Sequence, residues 1–158
     1  MLGWGCRKVD NVVTETDHEK ELTDRELKKE CFLYAREKFQ GRLFNNTDTG
    51  RDILVSRDGL DEWYNKTKSR DQSLSIKILD RLLEDGKQID QTGDKNKRQY
   101  VEGFIYFSAF CKVNEKSYNA VVTIKQTKGN PDKFYHYYLK DIKIEPCAGY
   151  GTSSGNPI

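Results

Sequence analysis

The 158-residue chain has no apolar run approaching the roughly 18 residues that span a membrane, and its opening MLGWGCRKVD lacks the apolar core of a signal peptide. The expectation is a protein that has no membrane partner and does not export itself. Histidine is scarce: His18 and His136 are the only two, which leaves little imidazole for metal binding. The four cysteines, Cys6, Cys31, Cys111 and Cys147, are scattered without a CxxC pair, so neither a zinc site nor a disulfide framework is expected. Cys31 falls in a helical pattern and Cys111 on an apolar strand row, where free cysteine usually acts as a small buried hydrophobe. Whether Cys6 meets Cys147 stays open. An excess of one charge is also missing, since 27 Lys and Arg against 25 Asp and Glu leave +2. That balance does not argue for nucleic acid by itself, although Lys95, Lys97 and Arg98 form a local basic cluster able to steer a polyanion.

Charged residues make up 33% of the chain and the mean hydropathy is −0.86, which predicts a densely charged surface. Seven Phe, nine Tyr and two Trp still supply the bulk for a core. The length suits one domain. The expected organisation is a flexible segment over 1–17, one α+β domain over 18–145, and a disordered Gly/Ser-rich tail over 146–158.

Helix signals come first along the chain. Thr23 with Glu26 forms a capping box, Leu27, Cys31, Tyr34, Ala35 and Phe39 recur at helical spacing, and Gly41 is a stop, which predicts a helix from about Asp24 to Gln40. NNTDTGR is turn chemistry, Asp52 to Ser56 is a short apolar run, and Ser56 can cap a short helix through Trp63. Ser69 with Gln72 repeats the cap, and Leu74, Ile78, Leu79, Leu82 and Leu83 form a stripe ending at Gly86. Residues 87–98 read as a mobile polar loop.

Strand signals follow. VEGFIYFSAFCKV alternates, with Ile105, Phe107, Ala109, Cys111 and Val113 on one face and Phe104, Tyr106, Ser108 and Phe110 on the other. A tight Val113–Lys116 connection leads to KSYNAVVTIK, where Tyr118, Ala120, Val122 and Ile124 form the apolar row. The last strand has two readings. If Leu139 faces the core, Tyr135 and Tyr137 share its side, and His136, Tyr138 and Lys140 join Thr123 and Lys125 opposite. A bulge or strand end near Lys140 is then needed before Ile142 and Ile144. If Ile142 and Ile144 set the phase, His136 is buried and Tyr137 turns out. Either way the fold class is α+β, with about three N-terminal helices packed on one face of a C-terminal antiparallel sheet.

On the uncovered face, His136, Tyr138, Lys125 and Thr123 form the candidate catalytic set, with Tyr106 beside them. Metal-free RNA cleavage uses these residue types: a base for the 2′-hydroxyl proton, an acid for the leaving oxygen, and a cation for the growing phosphate charge. His136 serves as base or acid, and Lys125, Lys140 or Arg51 as the cation. Arg51, Lys97, Arg98, Tyr106, Tyr137 and Lys140 are the candidate RNA contacts. No metal and no cofactor is expected. Plainer readings stand beside these: a strand histidine as a structural hydrogen-bonder, tyrosines as strand formers, and lysines as solvated edge residues.

The runs NNTDTGRDILVSRDGLDE, KSYNAVVTIK and FYHYYLKDI resemble the third of the large polyvalent-protein-associated domains of phages and conjugative elements, over about residues 24–145. The resemblance implies a layout similar to the barnase, EndoU, colicin and RelE class of small RNases, which set helices before an antiparallel sheet. It also implies an effector or toxin acting on tRNA or other structured RNA in a bacterial cytoplasm, delivered within a larger polypeptide and matched by an immunity or inhibitor protein. The family pattern has a histidine at the position of Tyr137, one place after His136. The alternative is a non-catalytic phage accessory or inhibitor protein that binds a host or phage protein through Tyr106, Phe110 and Tyr138.

Overall fold

Two Thr-x-x-Glu runs start the helical half. Thr16 and Thr23 each accept a bond from the backbone N–H three residues on, and Glu19 and Glu26 each accept one from the threonine N–H. These boxes open α1 (Asp17–Lys20) and α2 (Asp24–Phe39) in a computed structural model that describes residues 11–93, 101–129 and 131–142. Leu27, Cys31, Ala35 and Phe39 make the buried stripe of α2. Ser56 caps α3 (Arg57–Lys66), which runs a turn beyond the expected end at Trp63. The third expected helix is broken into α4 (Arg70–Ser75), a 3₁₀ turn at Ile76–Ile78, and α5 (Leu79–Asp85). Ser73 and Ser75 donate their hydroxyls to carbonyls four and three residues back, a habit that bends helices. The bend lets Ile76 and Ile78 both enter the core while Lys77 turns out to Glu19.

The strands are β1 (Val12–Val13), β2 (Leu43–Asn45), β3 (Asp52–Leu54), β4 (Lys87–Gly93), β5 (Val101–Val113), β6 (Lys116–Thr127) and β7 (Asp132–Asp141). They form one sheet in the order β1-β5-β6-β7-β3-β2, with β4 also paired to β5. The fold is α+β as expected, but the sheet is mixed: β1 lies parallel to β5 and β3 parallel to β7. The parallel members are two and three residues long, too short to show a period of two.

Two other expectations are corrected and a third is met in one of its two forms. Residues 11–17 do not form a flexible lead: Asn11 donates to the Phe110 carbonyl, β1 pairs with β5, and Glu15 binds Arg70. Residues 87–93, expected as loop, are the edge strand β4, whose side chains stay almost entirely exposed, so burial left no mark on the sequence. The strand end expected near Lys140 is present, since β7 stops at Asp141, and a bulge that was not expected falls at Tyr135, because Thr123 pairs with His136 while Ile124 pairs with Phe134. Phe134 therefore takes the core place expected for Tyr135, and β7 ends at Asp141 before Ile142 can conflict with Leu139. The calls for Lys95, Lys97, Arg98, Cys6, Cys147 and the 146–158 tail lie outside the described residues.

Ile105, Phe107, Ala109, Cys111 and Val113 join Tyr118, Ala120, Val122, Ile124, Phe134 and Tyr137 to form the core face beneath the helices. Burial pushes the thiols of Cys31 and Cys111 up to about 12, so both are inert in the fold. Among the described residues no helix is long and apolar enough to cross a membrane.

Candidate functional site

β5, β6 and β7 lie side by side, so side chains of matching register meet on the uncovered face. Tyr106 is opposite Thr123, and Thr123 is opposite His136, which makes one row across three strands. The next row carries Phe104, Lys125 and Lys133, and the row on the other side carries Ser108, Val121 and Tyr138. Lys140 pairs with Asn119, four residues and about 14 Å along the strand from His136. Thr123 is only 6% exposed beneath its neighbours.

His136 is half-buried, and its ring lies 5.1 Å from that of Tyr135. Among the described residues its nitrogens have no hydrogen-bond partner, so the plainer reading as a structural hydrogen-bonder has no acceptor or donor to support it. Burial, and then the Lys66 charge, holds its pKa below the ordinary range, with Glu62 opposing. That shift favours the neutral imidazole, the form able to accept a proton.

The bulge turns Tyr135 outward into a group of cations. The Lys125 ammonium lies 4.8 Å from its ring centre and that of Lys66 5.6 Å. Lys66 is anchored by Glu62 at 2.9 Å, and this bond raises its pKa. Glu62 and Lys66 were not singled out in the sequence, where an i, i+4 pair on a charged helix reads as ordinary solvated surface. A cleft of about 470 Å³ opens beside them, lined by Ser56, Asp58, Glu62, Lys125, Lys133 and Tyr135 among others. Gly59 lets α3 sit there, because a Cβ on it would stand 2.1 Å from the Phe134 carbonyl oxygen.

Two candidate residues fall elsewhere. Tyr137 is 1% exposed; its hydroxyl meets that of Ser75 at 2.5 Å and its carbonyl accepts from Gln72. It belongs to the core and cannot touch RNA. Arg51 is held by Asp132 at 3.0 Å, which ties β3 to β7 and diverts it from the role of phosphate cation. Among the described residues no group of three or more His, Cys, Asp or Glu is arranged to hold a metal ion.

The NNTDTG run proves to be a helix cap. Asn46 is fully buried, donates to the carbonyls of Leu83 and Gly86 at 2.7 and 2.8 Å, and accepts from the Thr49 N–H and hydroxyl. It closes the C-terminal end of α5 from a distant turn.

The family model for large polyvalent protein-associated domain 3 matches residues 23–138, which exceeds half of the chain. No curated protein and no solved structure matches.

Proposed function

The chain belongs to the large polyvalent protein-associated domain 3 family, and on that premise we propose that its uncovered sheet face cleaves RNA with His136 as general base. The reading rests on one observation: a half-buried imidazole without a hydrogen-bond partner among the described residues, set beside Tyr135, whose ring carries the Lys125 and Lys66 ammonium groups. In the proposed step His136 takes the 2′-hydroxyl proton and the 2′-oxygen bonds to phosphorus. The bond from phosphorus to the 5′-oxygen breaks, giving a 2′,3′-cyclic phosphate and a 5′-hydroxyl whose proton comes from water. Lys66 and Lys125 neutralise the charge that grows on the phosphate oxygens, and Tyr135 and Tyr138 offer rings for unpaired bases. Thr123 is a positioning residue beneath the imidazole rather than a nucleophile, given its burial.

The substrate of this reading is tRNA or another structured RNA in a bacterial cytoplasm, and a cognate immunity or inhibitor protein would cover the same face. The test is purified protein incubated with total bacterial RNA in chelator. The wild type cleaves, and His136→Ala loses cleavage by about 100-fold or more while keeping its fold. Intact RNA over a broad range of protein concentrations overturns the proposal.

One feature favours the second reading, a non-catalytic accessory or inhibitor protein. Tyr138 is 49% exposed on the same face as half-buried Tyr106 and Phe110. In that case Tyr138→Ala, rather than His136→Ala, abolishes capture of a host or phage protein.

A further inference from the structure

Lys125 and Lys133 are directly opposed on β6 and β7 and both line the cleft against α3. Like charges placed opposite each other on a sheet repel, and Lys125 already leans on the Tyr135 ring, so an anion reaching Lys133 eases the pair. Lys133 is half-buried and has no ion pair or hydrogen bond among the described residues. The pair is two residues from Thr123 on β6 and, across the bulge, three from His136 on β7, about 7 Å along the strands, which is one nucleotide step of an extended single strand. The opposite wall carries Asp58 and Glu62, which accept hydrogen bonds and, when ionised, cannot donate them.

We propose that the cleft is a subsite for the nucleotide next to the scissile bond, with Lys133 holding a non-scissile phosphate and Lys125 standing between that phosphate and the scissile one. The inference rests on the reading of this face as an RNA-cleaving site. The two carboxylates repel the phosphate toward the sheet and receive the amino or ring N–H groups of the base. Tyr135, pushed out by the bulge, forms the side of the cleft nearest His136.

The probe is a fluorescent hexaribonucleotide methylated on every 2′-oxygen, which cannot undergo the cleavage step. Lys133→Gln should weaken its binding about fivefold at 0.1 M salt and lower the salt slope by about 0.7, and Lys133→Arg should restore both. On cleavable RNA, Lys133→Gln should raise KM and leave kcat within twofold. As a check that needs no variant, the probe should shield Lys133 of the wild-type protein from amine acylation read by mass spectrometry. Binding within twofold of wild type at an unchanged slope, or acylation of Lys133 unaffected by the probe, overturns the subsite. If the probe binds through Lys133 but the wild type cuts no RNA, the nuclease reading falls and the cleft stands only as a nucleotide-binding site, with its place beside a scissile bond overturned. If RNA is cut and Lys133 is indifferent, the subsite alone falls.

Discussion

Gly59→Ala tests how the fold builds the site. A methyl group there would meet the Phe134 carbonyl oxygen at 2.1 Å and its carbonyl carbon at 3.1 Å, against the 3.4 Å at which ordinary contact begins. The two atoms are backbone, so no side chain can rotate away, and α3 has to back off β7 by more than an ångström. Two effects compete. Alanine gains up to about 1 kcal/mol over glycine in a helix interior. Overpacking costs about 1–3 kcal/mol and sometimes more, and a rigid carbonyl sets this case at the upper end. The expected net loss is about 2 kcal/mol, or roughly 4–8 °C in Tm for a chain of this size. Urea and thermal unfolding measure it, with Gly93→Ala as the control, because a methyl there meets nothing within 4 Å and should change stability by less than about 0.5 kcal/mol. Since α3 carries Glu62 and Lys66, RNA cleavage by Gly59→Ala should fall even well below its melting temperature. A variant as stable as the wild type would refute the seating of α3 on the bulge.

Asn46→Ala leaves the Leu83 and Gly86 carbonyls buried without their donor, and should cost about 2–4 kcal/mol in urea unfolding. Asn46→Asp should be worse, because it sets a carboxylate against the same two oxygens; equal or greater stability in either variant contradicts the capping role. His136 contributes a pH dependence whose sign follows from its lowered pKa. Below about pH 6.5 the unfolded chain binds the proton more readily than the fold does. Stability from the neutral ring is thus complete above pH 6.5 and lost as pH falls toward the folded pKa. The difference in urea midpoint between wild type and His136→Gln should therefore shrink or reverse from pH 7.5 to pH 5, and a difference that does not vary with pH would contradict the burial of His136.

The parts of the fold that repeat were legible in the sequence. β5 runs over the thirteen residues its alternation marks, because each second side chain is buried, and α2 starts where Thr23 and Glu26 announce it. The missed elements lack a repeat: β4 keeps both faces in solvent, and β1, β2 and β3 are too short for one. The register of β7 is a tertiary decision. Tyr135 bulges beside the point where Gly59 brings α3 onto the Phe134 carbonyl, and no local pattern in FYHYYLK encodes that approach. The candidate site divides the same way. Alternation pairs Thr123 with Lys125 and His136 with Tyr138, whereas the register of β7 decides that the two pairs share a face, and Glu62 and Lys66 join them only through the docking of α3. In the run NNTDTGRDILVSRDGLDE, Asn46 and Ser56 turn out to be helix caps, so much of what carries the resemblance maintains the scaffold.

The central claim is that the neutral imidazole of His136 takes a proton from RNA, and the pH–rate profile of cleavage in chelator tests it most directly. The account predicts a kcat/KM that falls as pH drops through an apparent pKa below about 6.5, with that acid limb absent from the residual activity of His136→Gln. A wild-type profile without the limb, or a His136→Gln variant that keeps both limb and rate, would contradict it.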